Sequence, residues 1–210
     1  MTVNELTFGV LALQGAFLEH LNMLKNLEHV KSAIAVRTKE QLDSVDALII
    51  PGGESTAMAL IAERCNLLEP LREFVQNKPT WGTCAGMIML ANEAKGAKKG
   101  GQQLIGGLDV CVNRNNFGTQ KESFMTDLHL PELVGEKPFS AVFIRAPVIA
   151  EIKSDKVKVV GRLERNVGQT DAETAIAVLE DHLFATAFHP ELTNDDRLHK
   201  FFVDFALKHQ

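Results

Sequence analysis

The sequence predicts an α/β fold with a mostly parallel central sheet, covered by helices on both faces, and an added antiparallel portion in its C-terminal half. Three observations predict it. Apolar, β-branched runs alternate with helix-like segments through the first half of the chain, which is the pattern of repeated strand-helix units. One run, Asp46-Ala-Leu-Ile-Ile50, is apolar almost throughout, as a central strand buried on both sides must be. From about Leu108 the runs become closely spaced and are separated by Gly, Pro and charged turns, so they read as mostly antiparallel strands.

Taken in order, TFGVLAL (7–13) is the first strand, and it leads into a helix from Phe17 to Leu27 with Phe17, Leu21 and Leu24 on one stripe. AIAV (33–36) and DALII (46–50) are the next strands. A long helical segment, STAMALIAERCNLLEPLREFV (55–75), follows the third. TWGTC (80–84) is strand-like, and GMIMLANEA (86–94) reads as a helix. The stretch Lys95 to Gln103, KGAKKGGQQ, is Gly- and Lys-rich and reads first as a solvated loop, with a partner contact as the second reading. LDVCVNR, SFMTDLHL, FSAVFIRAP, KVKVVGRL, TAIAVLE and HLFATAFHPE are the later strands. A last amphipathic helix, roughly Asp195 to Lys208, turns Leu198, Phe201, Phe202 and Phe205 inward and is expected to pack back on the sheet. No internal repeat interrupts this order.

Composition narrows the function. With 210 residues, 45% of them hydrophobic, the chain can bury a sizeable core as a single domain, 1–210. A formal net charge of -5 and a pI near 5.8 leave no basic field to gather nucleic acid or an anionic membrane surface. The start carries Glu5 and no basic residue ahead of an apolar stretch, and no uncharged apolar run approaches the roughly 20 residues that span a bilayer. A soluble, unprocessed chain is expected. Cys65, Cys84 and Cys111 make an odd, widely spaced set that fits neither a disulfide framework nor a zinc site, so a reducing cytosol is the simplest setting. The seven histidines are scattered, with no HExxH and no CxxC, so no metal is expected. GVLALQG lacks the GxGxxG spacing that brings backbone against a pyrophosphate, and no cofactor is expected either.

The sharpest chemical signal is Gly82-Thr83-Cys84-Ala85-Gly86, at a strand-to-helix junction. It has the form of a nucleophile elbow with Cys in place of Ser. Small residues two before and two after allow the sharp turn, and a helix starting directly behind the sulfur stabilises a thiolate. Cys65 and Cys111 lack that setting and read as buried structural residues.

A cysteine nucleophile needs a base, and the base needs an orienting group. Phe188-His189-Pro190-Glu191 supplies both at the end of a strand-like run, where residues two apart point to the same side. The other six histidines read as structural. Pro51-Gly52-Gly53-Glu54-Ser55 follows a buried strand, and its glycines permit the close approach that an oxyanion hole of main-chain N–H groups requires. We assign that hole to Gly53 and Ala85; a plain strand-to-helix turn with Ser55 as helix cap is the alternative.

LALQGAFLEH, IIPGGEST, GTCAG, RNNFGTQ, FIRAP and FHPEL resemble, in order and spacing, the glutaminase subunits of pyridoxal 5′-phosphate synthase, from about Phe8 to Phe205. GTCAG with HPE is shared by the wider class I glutamine amidotransferases, whereas LQG, GGEST, RNxFG and IRAP are particular to the vitamin B6 branch. The resemblance implies a flavodoxin-like three-layer domain and a triad of Cys84, His189 and Glu191. It further implies contacts to L-glutamine from Gly53, Glu54, Ser55, Arg114, Ile144 and Arg145. In such a protein, ammonia from glutamine hydrolysis passes to a synthase subunit, a (β/α)₈ barrel, in an assembly of twelve of each subunit. Two positions depart from the family's FGRQ and IRAPH, namely Thr119 and Val148. Two rival functions are a class I glutaminase feeding a different acceptor and a non-catalytic adaptor of the synthase.

Overall fold

A computed structural model describes residues 4–96, 102–114, 123–164 and 170–210. Thr119, most of RNNFGTQ and residues 97–101 of the Lys-rich stretch lie outside the described residues.

The chain begins with strand β1 (Leu6–Leu11), helix α1 (Phe17–Leu24), β2 (Val30–Val36), α2 (Lys39–Asp43) and β3 (Ala47–Ile50). Two helices follow, α3 (Ser55–Arg64) and α4 (Leu68–Asn77), then β4 (Thr80–Thr83) and α5 (Ala85–Leu90). The second half holds β5 (Ala91–Lys95), β6 (Leu108–Asn113), β7 (Ser123–Leu128), α6 (Pro131–Val134), β8 (Phe139–Ile144) and β9 (Val148–Ile152). It closes with β10 (Lys158–Arg162), α7 (Asp171–Thr174), β11 (Ala175–Glu180), β12 (Leu183–Thr186), a 3₁₀ turn at Pro190–Leu192, and α8 (Arg197–Lys208).

Seven strands form the main sheet in the order β10-β11-β12-β4-β3-β1-β2. The run from β2 to β12 is parallel, and β11 and β10 extend it antiparallel. The order 2-1-3-4 is that of flavodoxin-like sheets, with β12 in the fifth place, and such sheets hold ligands beyond the carboxyl ends of their strands where the winding reverses. β3 and β4 are fully buried, β3 as its apolar run requires. Two small sheets, β5-β6-β9 and β7-β8, complete the C-terminal half.

Helix α8 packs back on the sheet: Phe202 meets Phe8 and Trp81 with ring centroids 5.9 and 5.5 Å apart, and Phe201 meets Phe184 at 5.2 Å. Trp81 stacks on Phe184 and donates its indole N–H to Thr186 Oγ1 at 3.2 Å, which satisfies the polar end of a fully buried ring. Val148 is buried where β9 pairs with β6.

Several features differ from the sequence reading; the helix read as Phe17 to Leu27 ends at Leu24, and three others have a clear physical setting. The segment 55–75 splits into α3 and α4 because Asn66 takes a left-handed conformation, φ 54°, which Asn tolerates better than most residues. The run ANEA is strand rather than helix, since Ala91 to Lys95 pair in parallel with β6 and that pairing overrides local helix propensity. Cys65, read as buried, is exposed at the end of α3.

Candidate active site

Four strands of the main sheet end at one place. Gln14 and Gly15 follow β1, Gly52 and Gly53 follow β3, Cys84 follows β4, and His189 lies just beyond β12. Parallel pairing of β1, β3, β4 and β12 aims these carboxyl ends the same way, so residues far apart in sequence are neighbours.

Cys84 has φ 49° and ψ -104°, a conformation costly for a residue with a side chain. It persists because its surroundings hold it: the Cys84 N–H donates to Thr186 O at 2.8 Å, and α5 begins at the next residue. The flanking glycines are needed for contact as well as turning. A β carbon at Gly86 would sit 2.0 Å from Ile50 O, and one at Gly82 would sit 2.5 Å from the Gly86 backbone. The Cys84 Sγ lies 3.8 Å from the carbonyl oxygen of Ile144. The next residue, Arg145, has φ 44° and is exposed.

His189 Nδ1 donates to Glu191 Oε1 at 2.7 Å, with both side chains almost wholly buried. The turn at Pro190 carries the carboxylate back under the ring, and the His189 N–H is fixed to Val142 O at 2.8 Å. The ring and Cys84 both lie against Gly52, and Cys84 is close enough to act on the ring's charge. Burial by itself lowers the His189 pKa, but hydrogen bonds to Cys84 and Glu191, together with their charges, raise it to about 10. An imidazolium is therefore the favoured form beside the sulfur at neutral pH.

The glycine loop after β3 is braced by the loop after β1. Ala16 N–H donates to Gly52 O at 3.0 Å, and Glu54 N–H donates to Gln14 Oε1 at 2.7 Å. Gly53 is packed so tightly on Gln14 that a β carbon there would lie 2.3 Å from that Oε1. Gly52 faces both Cys84 and His189. Ala85 is the first residue of α5, where backbone N–H groups have no partner within the helix.

Glu54, rather than Ser55, caps α3: its carboxylate accepts from the N–H groups of Thr56 and Ala57 at 3.0 and 2.7 Å. Ser55 is instead buried at the first helical position and donates to Gln102 Oε1 at 3.1 Å. Arg114 reaches the same helix start, donating to Glu54 Oε1 at 3.1 Å and Thr56 Oγ1 at 2.9 Å. Burial opposes charge on Glu54, yet the hydrogen bonds from Ala57 and Thr56 and the nearby guanidinium hold its pKa below the usual carboxylate value.

Cys84, His189 and Glu191 thus converge, with Gly52 and the Ile144 carbonyl against Cys84, Ala85 next to it at the start of α5, Gly53 one residue further on against Gln14, and Glu54, Ser55 and Arg114 clustered at the start of α3. Sequence reasoning did not find Gln14 as a site residue and placed Gly52 only within the glycine turn; the LQG and GGEST motifs carry them, but the two motifs meet only once β1 and β3 pair. It also set aside His20, which sits behind Glu191 with Nε2 3.4 Å from Oε2.

A strained cysteine at a helix start, beside an imidazolium held by a buried carboxylate, can attack an acyl or amide carbon and protonate a leaving group. The model of the SNO glutamine amidotransferase family matches residues 10–208. Among relatives, the chain is 44% identical over 219 residues to a probable pyridoxal 5′-phosphate synthase subunit PDX2 from Arabidopsis thaliana, covering 94% of this chain and 85% of that one. It is 47% identical over 199 residues to a pyridoxal 5′-phosphate synthase subunit PdxT from Herpetosiphon aurantiacus, covering 94% and 99% respectively. A crystal structure described as a glutamine amidotransferase superposes with a TM-score of 0.82 at 41% identity, covering 95% of this chain and 98% of that one.

Proposed function

The chain belongs to the SNO glutamine amidotransferase family, and from that membership we propose that it hydrolyses L-glutamine to L-glutamate and ammonia for pyridoxal 5′-phosphate synthesis, using Cys84, His189 and Glu191. The observation that carries the residue assignment is the Glu191–His189 hydrogen bond of 2.7 Å, with Cys84 close enough to act on the same ring.

In this mechanism the Cys84 sulfur attacks the side-chain amide carbon of glutamine. The oxygen gains negative charge and is held by the N–H groups of Gly53 and Ala85, donors of a kind worth roughly 3 to 4 kcal/mol each. His189 gives its proton to the amide nitrogen, the C–N bond breaks, and ammonia leaves a thioester. The neutral imidazole then takes a proton from water, whose oxygen attacks the thioester; the C–S bond breaks, glutamate leaves, and the Cys84–His189 pair is restored. Glu191 keeps the Nδ1–H of His189 in place, so Nε2 is the working nitrogen.

Gly53, Glu54, Ser55, Arg114, Ile144 and Arg145 form the substrate contacts in this reading. Arg114 is suited to the α-carboxylate of glutamine because it is already anchored at the site's edge by Glu54 and Thr56. The residues act as one glutamine amidotransferase domain, 1–210. The acceptor of the ammonia is a synthase subunit, as the names of the relatives suggest. Its (β/α)₈ barrel and an assembly of twelve of each subunit extend the same reading from family resemblance. A cytoplasmic setting fits three free cysteines, the nucleophile among them.

The test is glutamate release and pyridoxal 5′-phosphate formation from glutamine, with purified synthase subunit present. Wild type should support both, and Cys84→Ala neither, while added ammonia should restore product formation in the variant. Substantial glutamate release by Cys84→Ala would overturn the assignment.

A further inference from the structure

Behind the proposed triad lies a second, wholly buried pair of imidazoles that the mechanism does not use. His20, on α1, and His199, on α8, are both 0% exposed, and their Nδ1 and Nε2 nitrogens stand 2.8 Å apart. His20 Nε2 lies 3.3 Å from Thr83 Oγ1, one residue before the nucleophile, and 3.4 Å from Glu191 Oε2. The 3.4 Å approach is too poorly aligned to count as a hydrogen bond, and Oε2 has no other partner among the described residues. A buried carboxylate oxygen left without a donor is costly.

The direction of the protons in this chain follows from its two ends. His199 Nδ1 is buried and has no partner among the described residues. An imidazole nitrogen left unpaired is tolerated better as a bare lone pair than as an N–H, and Oε2 can only accept. Both ends therefore select one arrangement: His199 Nε2–H donates to His20 Nδ1, and His20 Nε2–H faces Thr83 Oγ1 and Glu191 Oε2. The opposite arrangement sets a lone pair against the carboxylate and leaves an N–H orphaned at His199. Burial lowers the pKa of both rings, His20 also feeling His199 and His189, so neither ring takes a proton at neutral pH.

We propose that His20, oriented by His199, is a positioning residue that steadies Glu191 by holding its Nε2–H 3.4 Å from the second carboxylate oxygen, and so steadies His189. Glu191 then has an imidazole N–H facing each oxygen, hydrogen-bonded at Oε1 and held by attraction alone at Oε2, and the two together restrict its freedom to turn. This rests on the reading of Cys84, His189 and Glu191 as the catalytic set.

Two measurements test it. In the wild-type chain, nitrogen-15 correlation spectra of the histidines should find the proton on Nε2 of both His20 and His199; a proton on Nδ1 of His20 overturns the proposal without any variant. In glutamine turnover with the synthase subunit present, His20→Gln keeps a donor near the Nε2 position, whereas His20→Leu removes it. His20→Leu should lose roughly 10- to 100-fold in kcat, the scale of a misplacement on the order of 1 Å, with KM little changed. His20→Gln should recover most of that loss. Equal losses in the two variants, or wild-type kcat in His20→Leu, overturn the positioning role. Cys84→Ala runs in parallel: if it stays active the triad reading itself fails, whereas an inactive Cys84→Ala with a fully active His20→Leu removes only the role of His20.

Discussion

Gly52 lies against the ring of His189 so closely that a β carbon on it would stand 2.3 Å from Cε1 and 2.8 Å from Nδ1. The same added carbon would meet Cys84 Cβ at 3.3 Å. A methyl group here has no flexible chain end to displace; it must push the imidazole off the carboxylate or the glycine loop off the sulfur. Gly52→Ala should therefore cost roughly 100-fold or more in kcat for glutamine, the scale expected when reacting groups shift by about 1 Å. Steady-state glutaminase kinetics with the synthase present check it, and a variant with near wild-type kcat would mean that this contact does not matter to catalysis.

Glu191 raises the pKa of a ring that burial pushes the other way. Replacing its carboxylate by an amide removes the charge that favours the imidazolium and allows the amide N–H₂ to face Nδ1, which selects the wrong tautomer. Glu191→Gln should lower the His189 pKa from about 10 and reduce kcat by roughly 100- to 10,000-fold, as loss of the orienting carboxylate does in other triads. Histidine NMR titration reads the first effect and turnover the second. An unshifted ring would show that the sulfur alone sets its charge.

Much of this was legible in the sequence because the relevant signals are local. DALII carries the apolar density of a buried strand, and GTCAG packs small residues around the elbow whose close approach the structure shows at Gly82 and Gly86. His189 and Glu191 needed only a two-residue spacing. What escaped was set by pairings distant along the chain: ANEA became strand through β6, and Gln14 met Glu54 through the adjacency of β1 and β3. His20 and His199 are 179 positions apart, and neither has a local pattern that distinguishes it from an ordinary core histidine.

Arg114 joins the start of α3 through Glu54 and Thr56. Its partner Glu54 is more than half exposed, so the ion pair itself is worth little to folding. If the guanidinium serves the α-carboxylate of glutamine, Arg114→Ala should raise KM by roughly 10-fold, the scale of a lost charge-assisted hydrogen bond, with a smaller change in kcat and in Tm. A KM held at the wild-type value would assign Arg114 to the loop rather than to the substrate.

His199 gives a prediction about acid stability whose sign follows from its burial. Burial lowers its pKa from 6.5 to about 3, so below pH 6.5 the unfolded chain takes up a proton that the folded chain refuses. The folded state is unpenalised above 6.5 and is progressively destabilised as pH falls toward 3, by about 1.4 kcal/mol per pH unit for one such group. His20 adds a penalty of the same sign, since burial also lowers its pKa. His199→Gln cannot titrate, yet its amide can still donate toward His20 Nδ1. Its unfolding free energy, measured by denaturant titration, should therefore fall less steeply than that of wild type across this range, by about 1.4 kcal/mol per pH unit. Parallel slopes for the two proteins would mean that His199 accepts a proton in the folded state, and would remove the basis for treating the buried pair as neutral.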